Sequence, residues 1–167
     1  MMRMVIEMII RNIEEKDYEG KGYVHYQSWI ETYTGLMEES YLSKHTLEKC
    51  ILMAKKYPDR TITAEVNQKV VGFANYGPTR DEDQHSGEVM AIYVLKDYQK
   101  QGIGKALMDE CMSRLNDYQK IIVWVLSSNQ KSIDWYERYG FIQDGNMKKI
   151  RVTENYELEE IRLIYHK

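Results

Sequence analysis

The sequence predicts a mixed α/β (α+β) fold, a central sheet flanked by helices, with elements in the order β-α-α-β-β-β-α-β-α-β-β. Three observations carry that prediction. Residues 89–94 read Val-Met-Ala-Ile-Tyr-Val, the composition of a buried strand, and a glycine-containing turn leads from them into a stretch where Leu107, Cys111 and Leu115 recur at helical spacing. A second apolar strand candidate, 121–125, is likewise followed by a helical stretch that opens at Asn129 and stops at Gly140. Strand candidates at 61–66 and 70–76 are joined by Asn67-Gln68, a link short enough for a hairpin.

Taken in order, a strand is expected over 5–12 and a helix over about 17–29, broken by Tyr33-Thr34-Gly35. A polar, helix-prone region ends in a helix over 46–56, whose apolar positions 47, 50, 51 and 54 form one stripe and which Tyr57-Pro58-Asp59 stops. After the hairpin, Gly77-Pro78 ends the second strand, and 79–87 reads as a loop carrying Asp81, Glu82, Asp83 and His85. The two β-α units follow, and then strands near 141–147 and 158–165. No repeat, low-complexity tract or linker interrupts the chain, so one domain over 1–167 is expected.

Composition excludes several functions. Charged residues make up 29 % of the chain but the net charge is −3, so no global basic field draws it to nucleic acid or to an anionic membrane. No apolar run approaches the length of a membrane span, and Arg3 and Glu7 interrupt any signal-peptide core, which points to a cytoplasmic protein. Cys50 and Cys111 each sit on an apolar helical stripe and read as reduced core residues. The four histidines, 25, 45, 85 and 166, show no ligand spacing among themselves or with the cysteines, so no metal is expected.

The segment Gln99-Lys100-Gln101-Gly102-Ile103-Gly104-Lys105 is the strongest chemical signal. Glycines at 102 and 104 remove Cβ atoms that would hold a ligand off the backbone, and they permit the left-handed dihedrals that aim successive N–H groups into one concavity. The helix that follows adds unpaired donors and its positive dipole end, so the turn suits phosphate. It is not a P-loop, because G-x-x-x-x-G-K-[ST] occurs nowhere in the chain. Nor is it a dinucleotide fingerprint, which wants a small residue where Leu107 stands.

The pattern Gln99-x-x-Gly102-x-Gly104 resembles the acetyl-CoA pyrophosphate signature of the Gcn5-related N-acetyltransferase (GNAT) family. Asn129-x-x-Ser132-x-x-Trp135-Tyr136-x-x-x-Gly140-Phe141 is similar to that family's second hallmark, in the family's order. The resemblance covers roughly 87–141 well and the rest only by its pattern of elements. It implies the GNAT fold, a mostly antiparallel mixed sheet, and direct transfer of the acetyl group of acetyl-CoA to a primary amine in a ternary complex. It also implies a set of site residues. Gln99, Lys100, Gln101, Gly102, Gly104 and Lys105 would bind the pyrophosphate, the backbone of Ile92, Tyr93 and Val94 would pair with the pantetheine arm, and Asn129 would contact that arm or serve as a helix cap.

Acetyl transfer needs a base, because a primary amine with a pKa near about 10.4 is almost wholly protonated at neutral pH. Glu88, fourteen residues before Gly102, matches the family's catalytic glutamate and would act directly or through water. Tyr136 matches the tyrosine that protonates the departing thiolate. Trp29, Tyr33 and Glu31, in Trp-x-x-x-Tyr-x-Gly, resemble an acceptor-side motif of some bacterial members. Glu31, Glu38, Glu39, Asp81, Glu82, Asp83 and Glu88 together would favour a cationic acceptor, a polyamine or another small amine, with a peptide N-terminus as the other candidate. No nucleic acid and no membrane is expected as a partner, and a homodimer stays open. A noncatalytic acyl-CoA-binding regulatory module is the alternative, which would need the phosphate turn but neither Glu88 nor Tyr136.

Overall fold

The computed structural model describes residues 7–82 and 85–167. In chain order these form β1 (Met8–Asn12), α1 (Tyr18–Tyr33), the short α2 (Glu39–Leu42), α3 (Leu47–Lys56), β2 (Thr61–Val66), β3 (Lys69–Pro78), β4 (Gly87–Val94), α4 (Ile103–Arg114), β5 (Lys120–Leu126), α5 (Gln130–Tyr139), β6 (Ile142–Thr153) and β7 (Tyr156–His166). The strands are hydrogen-bonded in the order β1-β2-β3-β4-β5-β7-β6. Pairing is antiparallel for β1/β2, β2/β3, β5/β7 and β6/β7, and parallel for β4/β5, so the expected mixed, mostly antiparallel sheet with flanking helices is present. The start of the expected first strand, residues 5–6, lies outside the described residues. Among the described residues no helix is long and apolar enough to cross a membrane.

Contacts divide the chain into two compact units that share β3 and β4. The first is Met1–Tyr76 with Ala91–Arg114, and the second Gly77–Met90 with Leu115–Lys167. In the first unit, Asn67 and Gln68 take φ of 49° and 66°, the paired left-handed conformation that a two-residue hairpin turn needs. Val24 of α1, Val70 and Phe73 of β3 and Leu95 form a buried cluster. α1 and α3 touch at Gly22, where a Cβ would lie 2.5 Å from Ile51 Cγ1 and 2.8 Å from its Cα. A mid-helix glycine costs about 1 kcal/mol in propensity, and here the close backbone approach requires it. Leu47, expected on the apolar stripe of α3, is exposed, because only Cys50 and Ala54 turn fully inward.

Arg11 on β1 clasps Asp17 at the start of α1, with Nη1 donating to Oδ2 at 2.6 Å and Nη2 to Oδ1 at 3.0 Å. Burial alone would raise the Asp17 carboxyl, but hydrogen bonds from Arg11 and from the Glu14 N–H hold it below the usual carboxylate range. A lowered folded value contributes stability that is full above the unfolded pKa and lost as pH falls through the folded one. The stability gap between the protein and its Asp17→Asn variant is therefore expected to narrow as pH falls from about 6 to about 2, measured by urea denaturation.

In the second unit β5 pairs along its length with β7, from Lys120↔His166 to Leu126↔Glu160. Two strands run longer than the sequence suggested: β6 extends to Thr153 and β7 starts at Tyr156, against expected limits of 147 and 158. The added residues interleave charges with Ile150 and Val152, and the charges pair across the strands, Lys148–Glu160 at 3.7 Å and Arg151–Glu157 at 3.3 Å. Such charges suit a strand at the end of the sheet order, where apolar alternation would invite edge pairing. β3 ends at Gly77-Pro78 as expected, with Pro78 its final residue.

Candidate active site

Of the two glycines expected to turn left-handed before α4, Gly102 does so, whereas Gly104 lies inside α4 and does not, because the helix already begins at Ile103. Gly102 takes φ +83° and Lys100 takes φ +62°, so two of three consecutive residues are left-handed and one of them is not glycine. No protein atom lies within 4 Å of where a Cβ on Gly102 would stand. Side chains secure the turn from outside: Gln99 Nε2 donates to the Val94 carbonyl at 2.9 Å and Gln101 Nε2 to the Asp97 carbonyl at 3.2 Å. Gln99 and Gln101 thus brace the loop with their side-chain amides. Lys105 Nζ pairs with Asp109 at 2.7 Å on the exposed face of α4.

β4 brings Ile92, Tyr93 and Val94 to this turn. Gly72 lets the strands approach so closely that a Cβ there would lie 2.9 Å from the Tyr93 carbonyl oxygen. The parallel register of β4 with β5 covers Gly87↔Ile121 and Glu88↔Ile122 among the described residues, so Val89 and Met90 have already left it.

Of the three residues expected on the acceptor side, Trp29 and Tyr33 come together with Tyr93, and Glu31 does not. The Trp29 and Tyr33 rings meet edge to face at 4.7 Å, and the Tyr33 and Tyr93 hydroxyls are 3.2 Å apart. Glu31 instead has its carboxylate occupied, Oε2 accepting from the Lys96 backbone N–H at 3.1 Å and Oε1 from Gln27 at 3.0 Å. It ties α1 to the turn after β4.

In the second unit Glu88 is fully buried and gripped at both oxygens. Oε1 accepts from the Thr79 hydroxyl and the Arg80 N–H, each at 3.1 Å, and Oε2 from Arg80 Nε at 2.9 Å and Nη2 at 2.5 Å. The Arg80 side chain that closes over it is 62 % exposed, so the carboxylate is buried while its partner faces solvent. Tyr136 stands on α5, its ring 5.6 Å from Phe141 and 5.3 Å from Trp135. Asn129 is the α5 cap, its side chain accepting from the Ser132 N–H at 3.2 Å, and Gly140 closes the helix at φ +127° with its N–H bonded to the carbonyls of Tyr136 and Glu137. A Cβ on Gly140 would lie 2.9 Å from the Tyr165 ring, so sequence position 140 is fixed by packing as well as by dihedral.

Sequence reading missed Arg80. It reaches Glu88 because the loop folds back on itself, the Thr79 N–H donating to the Ser86 carbonyl at 2.9 Å, and no spacing rule signals such a return. The acidic cluster is also less available than expected. Asp81 receives Trp124 Nε1 at 3.1 Å and Arg162 at 3.2 Å, Glu88 is held by Arg80, and Asp83 lies outside the described residues, while Glu38, Glu39 and Glu82 are exposed. Finally, the fold gathers His25, His45 and Cys50, residues whose spacings of twenty and five gave no hint of proximity.

The family model described as the acetyltransferase (GNAT) family matches residues 15–141. The chain belongs to that family. It is an acetyl-CoA-dependent acyltransferase, and both hallmark segments fall inside the matched region. An uncharacterised N-acetyltransferase of Bacillus subtilis (strain 168), YuaI, is 29 % identical to this GNAT chain over 163 residues, 92 % of this chain and 87 % of that one. A spermine/spermidine N(1)-acetyltransferase of the same organism is 32 % identical over 96 residues, 51 % of this chain and 63 % of its own. Among solved structures, the PaiA N-acetyltransferase of Thermoplasma acidophilum, in complex with coenzyme A, superposes with a TM-score of 0.71 at 20 % identity, covering 96 % of this chain and 99 % of that one.

Proposed function

We propose that this acetyltransferase passes the acetyl group of acetyl-CoA directly to a primary amine within a ternary complex. The observation that carries the reading is the turn before α4, left-handed at Lys100 and Gly102 and open above Gly102. Backbone N–H groups of Gln101, Gly102, Gly104 and Lys105 bind the pyrophosphate there, with Lys100 adding charge. Ile92, Tyr93 and Val94 pair with the pantetheine arm as a further strand, which the early end of the β4/β5 register supports. Trp29 and Tyr33 provide an aromatic wall for the acceptor. A polyamine or another small primary amine is the preferred acceptor class, supported by the spermine/spermidine relative and by the exposed Glu39 and Glu82. A peptide N-terminus is the competing class.

Glu88 takes the amine proton once Arg80 swings out, or relays it through a water that enters when the grip opens. Tyr136 returns a proton to the leaving thiolate. Glu88→Gln should lower kcat/KM for the amine by about 100-fold near neutral pH, the low end for losing a general base. The loss should shrink as pH approaches the amine's own pKa of about 10.4, where less base help is needed. An unchanged rate at neutral pH would remove Glu88 from the mechanism. Initial rates with both substrates varied test the ternary complex: intersecting reciprocal plots are expected, and parallel lines with a trapped acetyl-enzyme would contradict direct transfer.

A further inference from the structure

From the cluster of His25, His45 and Cys50 we infer a zinc-class metal site that fastens α1 to the start of α3. One ring nitrogen of each histidine and the Cys50 sulfur all lie within 4.8 Å of one another. His45 Nε2 is 3.2 Å from Cys50 Sγ, and its Nδ1 is 4.0 Å away. Tetrahedral zinc with Zn–S near about 2.3 Å and Zn–N near about 2.0–2.1 Å sets its ligand atoms roughly 3.3–3.6 Å apart. The His45–Cys50 edge is thus already at ligand spacing, and the His25 edge needs to close by at most about 1.5 Å, within reach of a ring rotation.

A second observation points to a ligand. His25 Nδ1 is buried with no hydrogen-bond partner among the described residues, an arrangement that costs free energy unless something else receives its lone pair or proton. The surroundings hold the donors in place. His25 and His45 meet edge to face at 5.0 Å, and His45 is stacked on Trp29 at 4.6 Å and on Tyr26 at 6.2 Å. His25 further contacts the Phe73 and Tyr93 rings.

The donor set selects the metal. One thiolate and two imidazoles suit zinc or cobalt(II) far better than magnesium or calcium, which take oxygen ligands. Binding replaces the Cys50 S–H bond with a sulfur–metal bond and releases one proton to solvent. Two cations act on the cluster: Lys21, buried on α1 with its ammonium 4.4 Å from the Phe73 ring centre, faces Cys50, and Lys49, whose Nζ donates to the Lys44 carbonyl, faces His45. Burial pushes the Cys50 thiol up and the Lys21 charge opposes that; nearby positive charge disfavours a dication held by neutral ligands alone, so the sulfur is the indispensable donor. Three protein ligands leave one position for water. Acetyl transfer requires no metal, and the ion's place here is structural.

Anaerobic titration of the reduced full-length chain with cobalt(II) tests the site. One equivalent should bind, with the intense visible bands of tetrahedral cobalt and a near-ultraviolet thiolate-to-cobalt charge-transfer band, and zinc should displace it. Cys50→Ser should abolish the charge-transfer band, whereas Cys111→Ser should keep it. His45→Asn should weaken cobalt affinity by more than about 100-fold, beyond what loss of an outer-shell partner costs. Because His45 is only half-buried, that variant keeps the test valid if Cys50→Ser fails to fold. Absence of the charge-transfer band, its persistence in Cys50→Ser, unchanged affinity in His45→Asn, or only the weak spectrum of octahedral cobalt would each overturn the assignment.

Discussion

Gly102→Val is expected to fold and yet to lose saturable binding of acetyl-CoA. Two effects act at that position. A non-glycine residue in the left-handed region costs about 1–2 kcal/mol, more for a β-branched one, and this falls on folding and on the loop's shape. The larger effect falls on the ligand. Because no protein atom lies within 4 Å of the absent Cβ, the valine methyl groups project into open space above the turn, where the pyrophosphate is proposed to sit. Affinity should drop by at least about 100-fold, equivalent to about 2.8 kcal/mol. The same loss appears as a missing thermal shift: a ligand at a hundredfold excess over Kd stabilises the native protein by about 2.7 kcal/mol, and the variant should gain almost none of it. Gly102→Asn, which tolerates the left-handed region better, separates strain from obstruction. A Gly102→Val protein that binds acetyl-CoA normally would place the phosphate elsewhere.

Tyr136→Phe should lower kcat by about 100-fold with little change in acetyl-CoA affinity, since only the hydroxyl is lost while the ring keeps its contacts with Trp135 and Phe141. A thiol pKa near about 8.5 and a tyrosine pKa near about 10 make proton return to the leaving sulfur close to balanced, which is the condition under which a positioned acid helps most. The defect should diminish with acyl thioesters whose leaving thiol is more acidic. Equal turnover by both proteins on acetyl-CoA would leave Tyr136 a packing residue.

Local chemistry was legible in the chain. The strand, turn and helix around Gly102, the Asn129 cap and the Gly140 stop are each written in adjacent residues, and the structure realises them at the expected positions. What depended on distant partners was not legible. Glu31 reads as an acceptor-side carboxylate until the fold delivers the Lys96 N–H to it, 65 residues away. Glu88 reads as an open strand-end base until Arg80 folds over it. Residues 148–153 and 156–157 fell outside the expected strands because the charge pairs Lys148–Glu160 and Arg151–Glu157 form only after the strands are in register. His25 and His45 read as scattered histidines and Cys50 as a core residue because helix packing at Gly22, not spacing, brings α1 and α3 together.

The most direct test of acetyl transfer to an amine is to follow free thiol release from acetyl-CoA while identifying the acetylated product by mass spectrometry, across polyamines, other small primary amines and peptides. The account predicts thiol release that depends on both enzyme and amine, matched one to one by an N-acetylated amine, fastest for the small cationic acceptors. Tight binding of acetyl-CoA with no amine-dependent thiol release for any acceptor, in a protein that is folded and loaded, would contradict it.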